Sequence, residues 1–210
     1  MKNRFLKGAH APEKKVREII RLFSDDLTAT EIAAITGLSR ITINAYLKMF
    51  RSRIAIHQDR GIHFRPELAE NKNARYYGII FENDKILTYP LTAEEKAMLS
   101  DWANWDSANF RQRLLQLNIP ECHALIDLKS NKLYHLNFPL NGNGNGFQEM
   151  KHSVEEFWFN FRSRMKKFRG LNSTTIHLHI KESEFRFNNR NADLMNILPE
   201  LLTITPERKN

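Results

Sequence analysis

The sequence predicts a mixed α/β (α+β) chain, with an N-terminal unit of three helices followed by a second domain that combines strands and helices. Apolar residues recur at helical spacing from Val16 to Phe50, interrupted only by short polar turns. Past residue 75, Tyr76-Tyr77-Gly78-Ile79-Ile80-Phe81 reads as a strand, and a helical pattern returns at Ser153. Composition agrees with one sizeable core and a smaller unit, which 210 residues are long enough to build. The expected boundaries are 1–56 for the helical unit, 57–74 for a linker and 75–210 for the second domain.

The most informative stretch is 27–53, LTATEIAAITGLSRITINAYLKMFRSR. Thr28 or Thr30 is available to cap a short helix over Glu31, Ile32 and Ala33, because a hydroxyl there accepts an orphan backbone N–H. Gly37 suits a tight turn that needs positive φ. Ser39 then caps a second helix in which Ile43, Tyr46, Leu47 and Phe50 recur at helical spacing. Ala33 allows a close crossing, with Ile35, Leu38 and Ile43 expected to fill the space between the helices. This is the helix-turn-helix plan, whose second helix enters the major groove of DNA. Arg40, Thr42 and Asn44 would face the bases, and Lys48, Arg51 and Arg53 the phosphates. Upstream, Pro12 and Glu13 open a supporting helix with the stripe Val16, Ile19, Ile20 and Phe23, expected to pack on Ile32, Ile35 and Tyr46. Residues 1–11, with Lys2, Arg4 and Lys7, form a basic start.

Lys plus Arg outnumber Asp plus Glu by 32 to 24, and the net charge of +8 favours a polyanionic partner. Cys122 is the only cysteine, which excludes an internal disulfide and a cysteine zinc cluster and points to a buried, structural thiol. No apolar run approaches the ~18 residues of a membrane span and no signal peptide is visible. The expectation is a cytoplasmic, nucleoid-associated protein that partners double-stranded DNA, with no membrane role, and that is a candidate homo-oligomer.

Gly61, Pro66 and Glu70-Asn71-Lys72-Asn73 give 54–74 the composition of a linker. Tyr76 to Phe81, Glu82-Asn83-Asp84 and Lys85 to Tyr89 form a β-hairpin by composition and turn chemistry. Thr92 and Glu95 have capping-box spacing for a helix that carries Met98, Leu99, Trp102 and Trp105, the tryptophans as core. A short helix over 110–117 follows. Ala124-Leu125-Ile126 before Asp127, and 132–138, read as strands; Asn141-Gly142-Asn143-Gly144-Asn145-Gly146 reads as a connector. From Ser153, Val154, Phe157, Trp158, Phe161, Met165 and Phe168 fall on one stripe. At ~100° per residue Glu155 lies on the flank that carries Arg162, Lys166 and Arg169. Residues 173–190 alternate like a strand at Ile176, Leu178 and Ile180, yet also fit a helix face; on a strand His177 and His179 would share a side, without a third metal ligand. Asp193 caps a last helix, interrupted by Pro199.

VEEFWFNFRSRMKKFRG at 154–170 and LHIKESEFRFNNR at 178–190 resemble the C-terminal part of small bacterial insertion-sequence transposases of the IS-fifteen-ninety-five superfamily. Val154-Glu155-Glu156-Phe157-Trp158 matches that family's helix start, Lys166 to Gly170 its basic stretch, and Glu184-Phe185-Arg186-Phe187-Asn188 its closing motif. Residues 12–53 resemble its helix-turn-helix, and Tyr77-Gly78-Ile79-Ile80 one of its strands. The resemblance implies an RNase H-like catalytic domain, largely helical 173–190, terminal inverted repeats as DNA partner, and metal-dependent cleavage and strand transfer. Three carboxylates would hold Mg²⁺ or Mn²⁺, which activate a nucleophile and stabilise the leaving oxygen. Glu155 matches the third and Asp127 the second, with Asp106 as the alternative. The first has no counterpart: His63 to Glu70 offers neither the strand nor an Asp, and only Glu67 or Glu70 is at hand. An RNase H-like domain shortened in this way implies impaired chemistry. The competing readings are a non-enzymatic DNA-binding regulator derived from a transposase, a regulator that senses a small molecule through its aromatic middle, and, for Glu155, a surface acid that balances Arg162 and Lys166.

Overall fold

The structure, a computed structural model, describes residues 11–59, 74–91, 97, 122–135, 145–168 and 173–203. These form helices α1 (Glu13–Ser24), α2 (Ala29–Thr36) and α3 (Arg40–Asp59), strands β1 (Tyr76–Glu82), β2 (Lys85–Leu91), β3 (Ala124–Asp127) and β4 (Lys132–His135), and helices α4 (Asn145–Lys167), α5 (Ser173–Asn188) and α6 (Leu194–Thr203). The class is α+β. Residues up to His57 group with those from Asn189 onward in one unit, and Gln58 to Asn188 form the other. The basic start, residues 60–73, the expected cap at Thr92 and Glu95, Trp102, Trp105, Asp106, the helix over 110–117, residues 141–144 and Arg169 lie outside the described residues.

The first unit is built on aromatic packing. α1 buries Val16, Ile19, Ile20, Leu22 and Phe23, and α3 buries Ile43, Tyr46, Leu47, Phe50 and Ile54. Phe23 meets Phe50 edge-on with ring centroids 5.5 Å apart, a favoured aromatic geometry. Ile32 joins this core, but Ile35 does not: it stands 51% exposed, on the outer side of the single short helix it belongs to. α6 packs on α1 and buries Leu198, Leu201 and Leu202, so the C-terminal helix belongs with the N-terminal helices and not with the sheet. It runs through Pro199 without breaking, and Asp193 Oδ1 accepts from the Met195 N–H at its start (2.9 Å).

In the second unit the sheet order is β2-β1-β3-β4, every pair antiparallel. Asn83 and Asp84 close the β1–β2 hairpin at φ 50° and 58°, the left-handed pair that matches strand twist. Gly78 faces Tyr89 across that hairpin, and a Cβ there would come within 2.3 Å of the ring; the glycine makes room for the tyrosine. Tyr77, Ile79, Ile86, Ala124 and Ile126 form one core with Met150, Val154, Phe157, Trp158 and Phe161 of α4 and Ile180 and Phe187 of α5. α4 begins at Asn145, eight residues before the pattern that announces it, and so takes in the end of the Asn-Gly run.

Residues 173–188 are helical, and this settles the ambiguity of the alternating stretch. The reason lies at the free edge of β2. Asn188 Oδ1 accepts from the Ile86 N–H at 2.8 Å, and its Nδ2 donates to the Ile86 carbonyl at 2.7 Å. One turn earlier, Glu184 Oε2 accepts from the Thr88 N–H at 2.9 Å, and a turn before that Lys181 Nζ donates to the Thr88 carbonyl at 2.6 Å. Helix side chains thus take the place of a further strand and close an edge that would otherwise invite pairing. Among the described residues no helix is long and apolar enough to cross a membrane.

Candidate nucleic-acid interface

α2, the turn after it and α3 are held by a chain of caps. Thr28 Oγ1 accepts from the Glu31 N–H (3.3 Å), and the Glu31 carboxylate accepts from the Thr28 N–H (2.7 Å), a complete capping box. Gly37 ends α2 at φ 70°, where its N–H reaches the Ala33 carbonyl (3.0 Å). Lys15 Nζ donates to the Thr36 carbonyl at 3.0 Å and so ties α1 to the end of α2. Ser39 Oγ accepts from the Thr42 N–H at 3.1 Å and starts α3. The backbone path from α2 into α3 is therefore set by side chains that the sequence names.

With its apolar side buried, α3 presents Arg40, Ile41, Asn44, Ala45 and Lys48 to solvent. Positions 41, 44, 45 and 48 follow the three-and-four spacing of a single helix stripe. Thr42 is half-buried, and its hydroxyl lies 2.9 Å from that of Ser39 at the start of α3. Arg51 is not where a phosphate contact needs it: it is 9% exposed, with its guanidinium over the Phe23 ring at 5.9 Å. Four residues after Leu47 and three before Ile54, it faces the core, and cation–π contact compensates its burial. Arg53 is half-buried, and burial lowers its pKa from the ordinary arginine value. Ile41, 84% exposed, escapes a sequence reading that assigns apolar residues to the core.

The second unit carries the acids expected to bind metal. Asp127 ends β3 with its carboxylate forked by Arg75, Nε to Oδ1 at 2.9 Å and Nη2 to Oδ2 at 2.8 Å. Oδ1 also accepts from the Lys129 and Ser130 N–H groups at 2.9 and 3.3 Å, which shapes the turn into β4. The Arg75 bonds hold this carboxyl well below the usual carboxylate range. Glu155 sits elsewhere: its side chain is 53% exposed and meets His135 Nε2 at 3.3 Å. Burial lowers the His135 pKa, while Glu155 partly opposes the shift. His135 lies across from Ala124, three residues along β3 from Asp127, or roughly 10 Å at strand spacing. A shared Mg²⁺ asks for oxygens about 2.1 Å from one ion, and a dication beside the Arg75 guanidinium is repelled. These residues do not fit the metal pair expected of them. Among the described residues no group of three or more His, Cys, Asp or Glu is arranged to hold a metal ion.

Comparison with protein-family models, with curated proteins and with solved structures gives no match.

His177, His179, Arg164 and Cys122 make their contacts inside the second unit. His177 lies on a helix, 3.3 Å by Nδ1 from the Tyr77 hydroxyl and 3.4 Å by Nε2 from Asp59, while His179 packs on Phe168; the strand-borne histidine pair does not exist. Asp59 also meets Lys181 Nζ at 3.1 Å, and Gln58 donates to Glu184 Oε1 at 3.0 Å. Burial alone would raise the Asp59 pKa, but His177 and Lys181 together bring it below its ordinary value. Arg164, by sequence one of the basic residues of α4, is buried against Glu182 at 2.6 Å and Ser183 at 2.8 Å. Arg162 and Lys166 are exposed; with Phe161, Met165, Leu128 and Ile176 they line a cleft of about 300 Å³, and Arg162 stacks on Trp158 at 5.6 Å. Cys122 is buried and donates to the Ala124 carbonyl (3.0 Å), its pKa pushed up to about 11 by burial, which keeps the thiol protonated and unreactive.

Proposed function

We propose that the chain is a sequence-reading, duplex-DNA-binding protein that acts through a helix-turn-helix at α2–α3, and that it carries no cleavage chemistry. One observation supports this above the others: the exposed stripe of α3 joins a cation at each end, Arg40 and Lys48, to an amide at Asn44, on a helix whose opposite side is fully packed. From Arg40 to Arg53 the helix has four cations and no acid before Asp59. A first residue of that kind in the major groove reads base edges, and cations further along meet phosphates. Arg162 and Lys166 offer the second unit's own contact to a phosphate backbone.

The likeness to insertion-sequence transposases is read as ancestry, with the acids that the resemblance assigns to an RNase H-like domain turned to other work. Asp127 closes a turn with Arg75, and Glu155 pairs with a histidine. The non-enzymatic regulator is therefore preferred to a working transposase. The test is fluorescence anisotropy of the full chain on duplexes selected from a randomised library. Affinity should fall steeply with salt, as counterion release requires. Lys48→Ala should weaken all duplexes alike, whereas Asn44→Ala should flatten the preference among them. An absence of binding at low salt would end the proposal.

A further inference from the structure

We infer that α3 reads A·T base pairs, with Asn44 on the adenine edge and Ile41 against a thymine methyl group; this rests on the DNA-binding reading above. A single exposed apolar side chain is ordinary on a protein surface: Ile35, Ile56 and Phe159 are exposed as well, and Phe159 also has exposed cations, Arg162 and Lys166, three and seven residues on. Ile41 differs in its setting. It is 84% exposed, the second residue of α3, three residues before Asn44 and four before Ala45, with Arg40 beside it and Lys48 two turns on. N-terminal residues of a recognition helix are those that approach base edges.

The chemistry of the stripe selects the base pair. It has no carboxylate to accept from the cytosine amino group. An asparagine amide matches adenine, donating to N7 and accepting from N6, and branched or small apolar groups match the C5-methyl of thymine. Arg40 is the side chain of the first turn suited to guanine, and as first residue of the helix it is equally placed for phosphate. Two apolar groups and one amide against one guanidinium favour A·T steps under the centre of the helix. Ile41 gains from this contact because its methyl groups leave water only when the groove covers them.

Replacing thymine by deoxyuridine removes that methyl and nothing else. In the selected duplex, an A·T-rich core is expected, and one thymine-to-deoxyuridine change should weaken binding of the full chain about fourfold, the worth of one buried methyl-sized group. Ile41→Ala should weaken binding to the thymine duplex by a similar factor and make the protein indifferent to that change. Because Ile41 lies outside the core, circular dichroism and the melting temperature of Ile41→Ala should match the parent. Three other results overturn the inference. Specific binding in which no thymine methyl matters is one, and a methyl effect that persists undiminished in Ile41→Ala is another; in either case DNA binding survives and the readout does not. If no duplex binds at low salt, the DNA-binding reading falls first and takes this one with it.

Discussion

At Asp127 the same residue answers to two chemistries, and its neighbours decide between them. An aspartate that closes an apolar strand is what metal-dependent nucleases use, and that much is legible in Ala124-Leu125-Ile126-Asp127. Its partner is not, because Arg75 lies 52 residues earlier and no local spacing joins them. Arg51 is the opposite case. Its place between Leu47 and Ile54 is readable on a helical wheel, and only its charge argues for the surface. The Arg75–Asp127 fork makes a stability prediction with a definite sign. Asp127→Asn keeps the shape but loses the ion pair, so the melting temperature should fall at neutral pH. The folded pKa lies below the unfolded value of about 3.9, so the contribution is complete above that value and drains away as pH falls through the folded one. Melts of parent and Asp127→Asn should accordingly differ by a constant amount from pH 5 to 7 and converge in strong acid. A gap that widens on acidification would contradict the assigned pair.

The elements show how tertiary demand overrides a local pattern. Residues 173–190 alternate well enough to pass for a strand, but a strand would place Lys181 on the side of a sheet opposite Glu184 and Asn188. On α5 they fall three to four residues apart, along one helix face, and reach successive outward-pointing backbone groups of β2. The period of the polar residues thus carries the signal, and the apolar residues conceal it. Hairpin β1–β2 is legible for a local reason, since Asn83-Asp84 suits the left-handed turn whatever surrounds it. Asn188→Ala should leave the Ile86 N–H and carbonyl without partners and cost about 1–3 kcal/mol, read as a lower urea midpoint. Asn188→Asp keeps only the acceptor and should fall between the two. If Asn188→Ala melts like the parent, α5 does not seal the edge of β2.

Taken as a whole, the chain defeats the expected division because an apolar helix announces burial without saying against what. Leu198, Leu201 and Leu202 predict a buried α6, and α1 is its partner. Deleting residues 189–210 should therefore unfold the N-terminal unit first: three leucines at about 1.5–3 kcal/mol each, as an upper estimate, exceed half the stability of a typical domain. DNA affinity should be lost in that deletion even though every residue of α2 and α3 remains, and a residue 1–60 fragment should behave the same way; undiminished binding by either would show that α6 is dispensable. Metal chemistry is the last test, and it separates a DNA-binding protein from a nuclease. An octahedral Mg²⁺ needs hard oxygens free to turn toward it. Asp127 gives its oxygens to Arg75 and two backbone N–H groups, and Glu155 lies by His135 about three strand residues away. Among the described residues, a second ion to clamp attacking and leaving oxygens has no group of ligands to hold it. A site with Kd near 100 μM would stabilise the fold by about 2.7 kcal/mol at a hundredfold excess of Mg²⁺, enough to raise the melting temperature by roughly 5–10 °C. No such shift is expected in 10 mM Mg²⁺ or Mn²⁺, and Glu155→Gln should melt like the parent with or without metal. If terminal repeats flank the coding sequence, duplexes carrying them should be bound and left uncut. Metal-dependent cleavage at the repeat boundary, lost in Glu155→Gln, would mean that Arg75 yields Asp127 to a metal when DNA arrives, and that the chain is an enzyme after all.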